Sequence, residues 1–209
     1  MLSVPSARFI SSLQKQFGYA LVAGVDEVGC GCLAGPVVSA AVILRDRAPL
    51  PLLRDSKQLS PNQREAQITN IKRQALAWCI GSASVEEIDM LGIRPATLLA
   101  SQRALLGLSV VPDAVVSDAF FIPGLPFPCH PLVRADVHCR PVAAASVLAK
   151  VHRDTLLDEL DIRFPGYHFG RHKGYGTREH LHALEKLGAC EVYRKGFGPV
   201  KNLSQSRKP

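Results

Sequence analysis

The sequence predicts an α/β domain with a mixed β-sheet and with its C-terminal helices packed beside that sheet. Two observations support this fold class: apolar segments of strand length come first along the chain, and helical patterns alternate with strands afterwards. The 209 residues and 47% apolar content suit one domain with a core large enough to fold unaided. We expect a single domain over residues 1–209, with a flexible lead-in at 1–19 and a flexible tail at 201–209.

The predicted strands are short apolar runs, and some of them end on an acidic residue. A glycine-rich turn separates the first two runs, which predicts that they form adjacent buried strands. A proline-rich segment from Phe120 to Pro131 is predicted as a loop before the last strand. The predicted strands are Ala20–Glu27, Val37–Leu44, Trp78–Ser84, Pro112–Asp118 and a brief one at Leu132–Ala135.

The predicted helices are marked by their starts and stops as well as by their periodicity. Ser60 and Pro61 supply an N-cap and a proline at the first helical position, and Pro95 marks another start. Pro165 and Gly166 stop the longest helix, in which apolar residues recur at steps of three and four. The predicted helices are 61–77, 94–108, 142–164 and 178–187.

The formal charge of +7 is distributed unevenly along the chain. Residues 1–133 carry 11 basic and 10 acidic side chains, whereas residues 134–209 carry 14 basic and 8 acidic ones. A basic surface attracts polyanions because their binding releases condensed counterions. Nucleic acid is therefore a natural partner, although charge alone does not separate DNA from RNA or from an ordinary solvated face.

The chain lacks the features of a membrane or secreted protein. Its apolar run from Leu33 to Leu44 is followed by Arg45 and is shorter than the roughly 18 to 20 residues that a membrane span needs. The six cysteines include no Cys-x-x-Cys pair, and the N-terminus has no continuous apolar core of a secretory signal. We expect reduced thiols, no membrane association and a cytoplasmic location.

Acidic residues stand where the apolar strands run out. Asp26 and Glu27 end the first predicted strand, Asp118 ends the fourth, and Asp136 lies in a similar setting. An acid at a strand end can face a shared crevice, whereas an acid inside a strand would be costly to bury. Four converging carboxylates repel each other unless cations lie between them, and oxygen ligands suit Mg²⁺ or Mn²⁺ rather than zinc.

Two such ions about 4 Å apart activate a water and stabilise the leaving oxygen of a phosphodiester. The acidic pattern therefore indicates nuclease chemistry without a protein nucleophile. For any one of these acids taken alone, capping a helix or satisfying a turn is the more ordinary role. The pattern is informative only when the four are taken together.

Seven sequence blocks, spread over roughly residues 20 to 200, resemble the ribonuclease HII family and occur in the family's order. The first block, Gly24–Val37, is similar to the opening signature of the family, with the acidic pair followed by a glycine-rich turn. The other blocks are Asp55–Ser60, Glu87–Asp89, Ala143–Lys150, Arg153–Asp154, His172–Thr177 and Phe197–Val200. Seven blocks in one order are difficult to attribute to chance.

The resemblance implies a ribonuclease H-like fold and a metal-assisted endonuclease that leaves a 5′-phosphate and a 3′-hydroxyl. Its substrates would be RNA–DNA hybrids and duplex DNA that contains ribonucleotides, cut on the 5′ side of the ribonucleotide. By position, the resemblance assigns catalysis and the binding of two Mg²⁺ or Mn²⁺ ions to Asp26, Glu27, Asp118 and Asp136. The strand-end pattern selects the same four residues.

The resemblance also implies which residues contact the substrate. Backbone amides of the turn at Gly29, Cys30 and Gly31 would lie against the ribose 2′-hydroxyl, and this contact distinguishes RNA from DNA. Tyr175 would pack on the sugar that follows the ribonucleotide and recognise the RNA-to-DNA junction. Candidate phosphate contacts are Ser56, Lys57, Ser146, Lys150, Lys173 and Arg194.

One departure from the family pattern bears on substrate binding. The family usually has Gly-Arg-Gly where this chain has Gly29-Cys30-Gly31. Cysteine preserves contacts made by backbone amides but removes a guanidinium that could pair with a phosphate. We expect cleavage to be retained, with weaker or more salt-sensitive binding.

Three other interpretations remain at this point. A ribonuclease HIII-type enzyme usually carries an extra N-terminal domain, for which the roughly 20 residues before the first strand leave no room. A catalytically weak or inactive hybrid-binding homologue would keep the basic face, and the four retained carboxylates argue against it. A structural or interaction protein would show no divalent-ion dependence. The polar C-terminus shows no clamp-docking motif, and a monomer is the default expectation.

Overall fold

A five-stranded mixed sheet forms the centre of the molecule, with the strand order β3-β2-β1-β4-β5. The computed structural model describes residues 5–46, 48–50, 53 and 61–206, so the predicted contacts Ser56 and Lys57 lie outside the described residues. The strand β2 pairs antiparallel with β1 and β3, whereas β4 pairs parallel with β1 and β5. The strands are β1 (Val22–Val28), β2 (Val37–Leu44), β3 (Ala75–Ala83), β4 (Ala114–Asp118) and β5 (Cys129–Leu132).

Helices cover both faces of this sheet. On the described part of the chain they are α1 (Arg8–Phe17), α2 (Pro61–Gln74), α3 (Val85–Leu91), α4 (Ile93–Leu106), α5 (Ala135–His138), α6 (Arg140–Arg163), α7 (Phe169–His172), α8 (Arg178–Leu187) and α9 (Gly198–Ser206). The sheet and helices confirm the predicted α/β class with a mixed sheet.

The strand β2 shows why the sheet is covered on both sides. Its side chains alternate between the two faces, as in any strand. Val38 and Val42 pack in one cluster with residues of α6 and α2, whereas Ala41 and Ile43 pack in another with residues of α4. Because both faces are covered, β2 is buried from Val37 to Ile43 and shows no alternation of buried and exposed residues.

Two strand glycines allow the helices to lie directly on the sheet. A β-carbon at Gly24 of β1 would overlap the backbone of Pro141 and Val142 at the start of α6. A β-carbon at Gly81 of β3 would overlap the carbonyl of Ala100 in α4. The close approach of α6 to β1 places Ser146, in the second turn of that helix, beside Asp26 at the acidic end of the strand.

The described residues near the two chain ends form helices. Residues 8–17 form the helix α1, in which Leu13 is buried against Val22 and Val116. Residues 198–206 form α9, whose Val200 is buried in the C-terminal apolar cluster. In both segments, apolar side chains that pack against the body supply the free energy that a polar tail lacks.

Other boundaries were predicted incorrectly. The helix predicted to reach Ala77 ends at Gln74, and β3 begins directly afterwards. The fifth strand is Cys129–Leu132 rather than Leu132–Ala135, because the proline-rich segment pairs with β4 before the chain turns. The helix α3 was missed, although its Ser84 and Glu87 form a capping box that the sequence displays.

All six cysteines are free thiols. Among the helices of the described chain, none combines the length and apolar content that crossing a membrane requires.

Replacing Gly24 with Ala should destabilise the fold by about 1–3 kcal/mol, because the new methyl group overlaps the backbone of α6 and overpacks the core. Denaturant unfolding measures this change. Gly196→Ala is the matched control, since a β-carbon there would meet no described residue within 4 Å apart from its chain neighbours. Equal stability of the two variants would show that α6 moves away from β1 at little cost.

Candidate active site

Consecutive positions on β1 send Asp26 and Glu27 to opposite faces of the sheet. The side chain of Asp26 is 8% exposed and lies on the α6 face, where Ser146 forms a hydrogen bond to it. Glu27 lies on the α4 face, where it lines a cleft together with Thr97. The Glu27 backbone N–H also donates to Asp26 Oδ1 over 2.9 Å, which fixes the first carboxylate.

Asp118 lies beside Asp26 on the neighbouring strand. Ser117 of β4 is in register with Val25 of β1, and the two aspartates are the next residues on these parallel strands. Adjacent strands are about 4.8 Å apart, and residues at the same register position face the same side. Two carboxylates therefore stand next to each other at the carboxyl ends of β1 and β4.

The helix α5 brings a third aspartate to this end of the sheet. The backbone N–H of Ala135 donates to Asp118 Oδ1 over 2.8 Å, and Asp136 is the following residue. Asp136 is 6% exposed and lies in a short helix, not at a strand end as the sequence suggested. The connection between β5 and α6 therefore positions it, rather than the sheet itself.

Burial and neighbouring negative charges act together on Asp26. Burial raises the pKa of Asp26 well above its usual value, and the charges of Glu27 and Asp118 raise it further. Hydrogen bonds from Ser146 and from the Glu27 backbone oppose this shift of the pKa. A bound cation would favour the ionised form of these carboxylates in the same way that the hydrogen bonds do.

The oxygen donors suit a hard divalent ion, but they do not form a finished ligand shell. Within residues 5–46, 48–50, 53 and 61–206, no group of three or more His, Cys, Asp or Glu side chains is arranged to hold a metal ion. The alternation on β1 explains this, since Glu27 faces away from Asp26. The structure thus brings Asp26, Asp118 and Asp136 to the same end of the sheet, whereas Glu27 lies on the other face.

The chain after β1 forms a turn over residues 29–36, here called the glycine turn, which is held by a buried arginine. Arg153 of α6 has no exposed surface and donates to the carbonyl oxygens of Ala34, Pro36 and Lys173 at 2.8–3.1 Å. Gly29 has a φ of +95°, and a β-carbon there would overlap the Arg153 guanidinium. Glycine is therefore required at this position by backbone conformation and by space.

A second buried arginine fixes the direction of one peptide group. Arg194 donates to Gly35 O over 2.9 Å and to Cys30 O over 3.1 Å. In a trans peptide the C=O and the following N–H point in opposite directions. Because Cys30 O points at Arg194, the Gly31 N–H points away from it.

Residues 172–177, here called the tyrosine turn, lie against the glycine turn. Leu33 N–H donates to Gly174 O over 2.8 Å, and Cys32 forms an isolated bridge with Tyr175. The Tyr175 side chain is 42% exposed, with Lys150 Nζ 5.9 Å from the centre of its ring. The tyrosine is therefore an exposed ring on a firmly attached turn, not a core residue.

Two stacked histidines support the tyrosine turn from beneath. The rings of His172 and His180 lie 3.9 Å apart, and His180 Nδ1 donates to Tyr175 O over 2.9 Å. His180 Nε2 then accepts from the Tyr193 hydroxyl over 2.9 Å, which requires a neutral ring. Burial lowers the pKa of His180 to about 4.

A cleft beside Glu27, here called the α4 cleft, has a volume of about 720 Å³. One wall is the glycine turn at Cys30 and Gly31, and Cys30 Sγ lies 3.3 Å from Thr97 Oγ1 of α4. The remaining lining residues are Ile93, Arg94, Leu98, Ala119, Phe120 and Phe121.

A family model for Ribonuclease HII matches residues 23–198 of this chain. Ribonuclease HII of Albidiferax ferrireducens is 49% identical over 209 residues, which cover 100% of both chains. The chain belongs to the ribonuclease HII family. It is accordingly a ribonuclease H-type endonuclease, as the sequence blocks implied.

Solved structures show the same fold. Ribonuclease H2 from Pyrococcus horikoshii matches with a TM-score of 0.75 and 24% identity, over 89% of this chain and 98% of that one. Bst-RNase HIII in complex with Mn²⁺ matches with a TM-score of 0.70 and 19% identity, over 90% of this chain and 70% of that one. The predicted ribonuclease H-like fold is therefore confirmed.

Some candidate phosphate contacts of this ribonuclease HII chain have partners within the protein. Arg194 is fully buried, so the prediction that its guanidinium contacts a phosphate is wrong for this conformation. Ser146 is buried and bonds Asp26, which makes it a support for the carboxylate. Lys150 pairs with Asp154 over 2.7 Å, and Lys173 pairs with Asp158.

Sequence reasoning missed the structural roles of the two buried arginines and the cation in the α4 cleft. Arg153 lies in a recognised family block, yet nothing in that block reveals that its partners are backbone carbonyls. Arg94 precedes Pro95, and the sequence pattern there indicated a helix start but gave no functional role to Arg94. Only the packing of α4 against the glycine turn places Arg94 near Glu27.

Lowering the pH from 6.5 towards 4 should destabilise the protein, partly through His180. Its pKa is about 4 when folded and near 6.5 when unfolded, so the unfolded chain binds the proton first. This contribution to stability is complete above pH 6.5 and is lost as the pH falls through that window. Thermal unfolding at a series of pH values measures it.

The thermal stability of His180→Gln should depend less on pH than that of the unsubstituted protein, because the titrating imidazole is gone. His182→Gln, at an exposed position on the same helix, should keep the full pH dependence. Identical profiles for both variants would show that His180 titrates normally in the folded state.

Proposed function

We propose that this enzyme hydrolyses the RNA strand of RNA–DNA hybrids and incises duplex DNA on the 5′ side of embedded ribonucleotides. The products would be a 5′-phosphate and a 3′-hydroxyl. The observation that carries this proposal is the adjacency of Asp26 and Asp118 at the sheet end next to the glycine turn. Carboxylates for phosphodiester chemistry thus adjoin a backbone turn that can inspect a ribose.

Asp26, Glu27, Asp118 and Asp136 would hold two Mg²⁺ or Mn²⁺ ions, whose chemistry is to activate a water and to stabilise the leaving oxygen. The protein's own contribution is to fix these oxygens. Ser146 and the Glu27 N–H orient Asp26, and the Ala135 N–H orients Asp118. Burial of Asp26 makes the ionised site unfavourable without a cation, which supports the assignment of metal binding here.

The glycine turn would recognise the ribose through its backbone. The Arg194 contact to Cys30 O directs the Gly31 N–H away from the protein interior. Among the described residues other than its two chain neighbours, none has an atom within 4 Å of a β-carbon built at Gly31, so the space beside it is open to a ligand. A 2′-hydroxyl can accept from such an N–H, whereas a deoxyribose offers no oxygen at that place.

Tyr175 would define the other side of the junction. Its exposed ring belongs to a residue that bridges to Cys32, the next residue after Gly31 in the glycine turn. A flat ring packs well on a deoxyribose, which has no 2′-hydroxyl to desolvate. Ribose at the glycine turn and deoxyribose at Tyr175 would together specify an RNA-to-DNA step.

The setting proposed for this reaction is the cytoplasm, with the enzyme acting as a monomer on a nucleic-acid partner. The free thiols fit a reducing compartment. The basic excess of residues 134–209 would attract the duplex before specific contacts form.

Asp118→Asn should lower cleavage of a DNA duplex with one ribonucleotide by at least about a hundredfold, because a metal-binding carboxylate is lost. The asparagine keeps an oxygen that can accept from the Ala135 N–H, so the fold is retained. Single-turnover cleavage with Mg²⁺, Mn²⁺ or chelator measures the effect and locates the cut.

Asp46→Asn is the control, since Asp46 is exposed just beyond β2 and lines a pocket with α1 rather than with the site. It should cleave like the unsubstituted enzyme. Cutting that persists with chelator would contradict the metal-dependent mechanism. Tight binding of the duplex without any cutting by the unsubstituted protein would favour an inactive hybrid-binding homologue.

Gly31→Ala should fold normally and lose roughly ten- to a hundredfold in cleavage at a ribonucleotide, because the methyl group occupies the space needed for close approach of the ribose. Thermal unfolding checks the first part, and single-turnover kinetics the second. Gly29→Ala is unsuitable as a probe, since its positive φ and its contact with Arg153 would destabilise the fold. Unchanged cleavage by Gly31→Ala would show that the turn does not approach the sugar.

A further inference from the structure

The α4 cleft adjoins the candidate active site and shares Glu27 with it. Glu27 lies on its floor, and the glycine turn forms one wall at Cys30 and Gly31. Its volume of about 720 Å³ is large enough for a nucleotide-sized group. Whatever enters this cleft therefore lies within reach of the turn proposed to recognise the ribose.

Arg94 is the one basic side chain among the described residues that line this cleft. It is exposed, and its guanidinium makes no hydrogen bond or ion pair with any part of the chain that the structure describes. Arg103, on the same helix, pairs bidentately with Glu87 at 2.7–2.8 Å. The cation at residue 94 thus has no comparable partner within the described fold.

The position of Arg94 in its helix does not favour a cation, although Glu27 lines the same cleft. It lies in the first turn of the 14-residue helix α4, which has no acidic residue in that turn. The N-terminus of a helix carries a partial positive charge that repels a cation and attracts an anion. The helix and Arg94 together form a positive wall, so an anion bound in the cleft would be stabilised by both.

The same wall faces the glycine turn. Thr97 is three residues after Arg94, on the same side of α4, and its hydroxyl contacts Cys30 Sγ at 3.3 Å. The Cys30 side chain is neutral and partly buried, with its pKa raised by burial. The turn itself therefore supplies no cation here, and among the described residues that line the cleft the positive charge comes from α4.

The geometry points to Arg94 as a phosphate-binding residue, which holds a backbone phosphate of the cut strand in the α4 cleft next to the ribose at Gly31. This inference rests on the proposed function, because it places that function's substrate in the cleft. Phe121, which is 61% exposed at the cleft, would pack on the adjoining sugar or base. The arginine would align the strand and take no part in bond cleavage.

The test compares Arg94→Gln with the unsubstituted protein in binding a fluorescent DNA duplex that contains one ribonucleotide. Anisotropy is measured with chelator and increasing KCl, so that the duplex stays intact. One lost phosphate contact should weaken binding roughly three- to fivefold at low salt and reduce the slope of log K against log[KCl] by about 0.7–0.9. Arg94→Lys, which keeps the charge, should retain most of the slope.

Arg8→Gln is the matched control. Arg8 is also an exposed arginine in the first turn of a helix, but α1 packs on Val22 at the start of β1, and Arg8 does not line the α4 cleft. Its removal lowers the net charge equally and should leave the slope unchanged. The thermal midpoint of Arg94→Gln should be no lower than that of the unsubstituted protein, because Arg94 has no partner to lose in the described chain.

A second arm places the contact within the cleft. Cys30→Arg puts a guanidinium on the opposite wall, and it should restore more affinity in the Arg94→Gln background than it adds to the unsubstituted protein. Duplexes with a single uncharged methylphosphonate linkage identify the phosphate. At one linkage, neutralisation should weaken binding by the unsubstituted protein and leave Arg94→Gln unaffected.

The outcomes separate this inference from the proposed function. If the unsubstituted protein binds and cuts the duplex while Arg94→Gln keeps the same affinity and slope, the phosphate contact is refuted and the function stands. Equal losses for Arg94→Gln and Arg8→Gln would also refute it, since net charge alone would explain them. If the unsubstituted protein neither binds nor cuts the duplex, both proposals fall.

Discussion

The buried guanidinium of Arg153 is the interaction on which the site depends. It lies on α6, has no exposed surface and joins the carbonyls of Ala34, Pro36 and Lys173. A buried charge is costly unless its hydrogen bonds are satisfied, so these carbonyls are held firmly in place. The glycine turn and the tyrosine turn are thereby fixed to one helix, although they lie far apart in the sequence.

The alternation of β1 divides the acidic residues between two environments. Asp26 faces α6 with Asp118 beside it, whereas Glu27 faces the α4 cleft. This division accounts for a site that has adjacent carboxylates and yet no finished ligand shell in the described chain. A strand can deliver two successive acids to one centre only at its end, where the backbone is free to turn around a ligand.

Sequence reasoning reached the acids more readily than their surroundings. Asp118 was placed correctly because a strand that ends on an acid is a local pattern. Asp136 was predicted near a strand end but lies in the short helix α5. Pro131 made the segment before it resemble a loop, although this segment forms β5. Arg194 was misassigned because the burial of an arginine depends on carbonyls from residues 30 and 35, which no local pattern reveals. Periodicity alone predicted the α/β class, and the family blocks were needed to predict the ribonuclease H-like fold.

The pairing of Lys150 with Asp154 and of Lys173 with Asp158 has a consequence for selectivity. Lys150 and Lys173 each already pair with a carboxylate from α6, and a phosphate that approached either lysine would have to compete with that carboxylate. An arbitrary polyanion must compete with these internal anions and gains little by displacing them. A duplex whose ribose also binds at the glycine turn would gain further contacts, and these would offset the cost of displacing the carboxylates. The acidic residues of α6 would thus reduce unproductive residence on ordinary DNA, leaving more enzyme free to find its target.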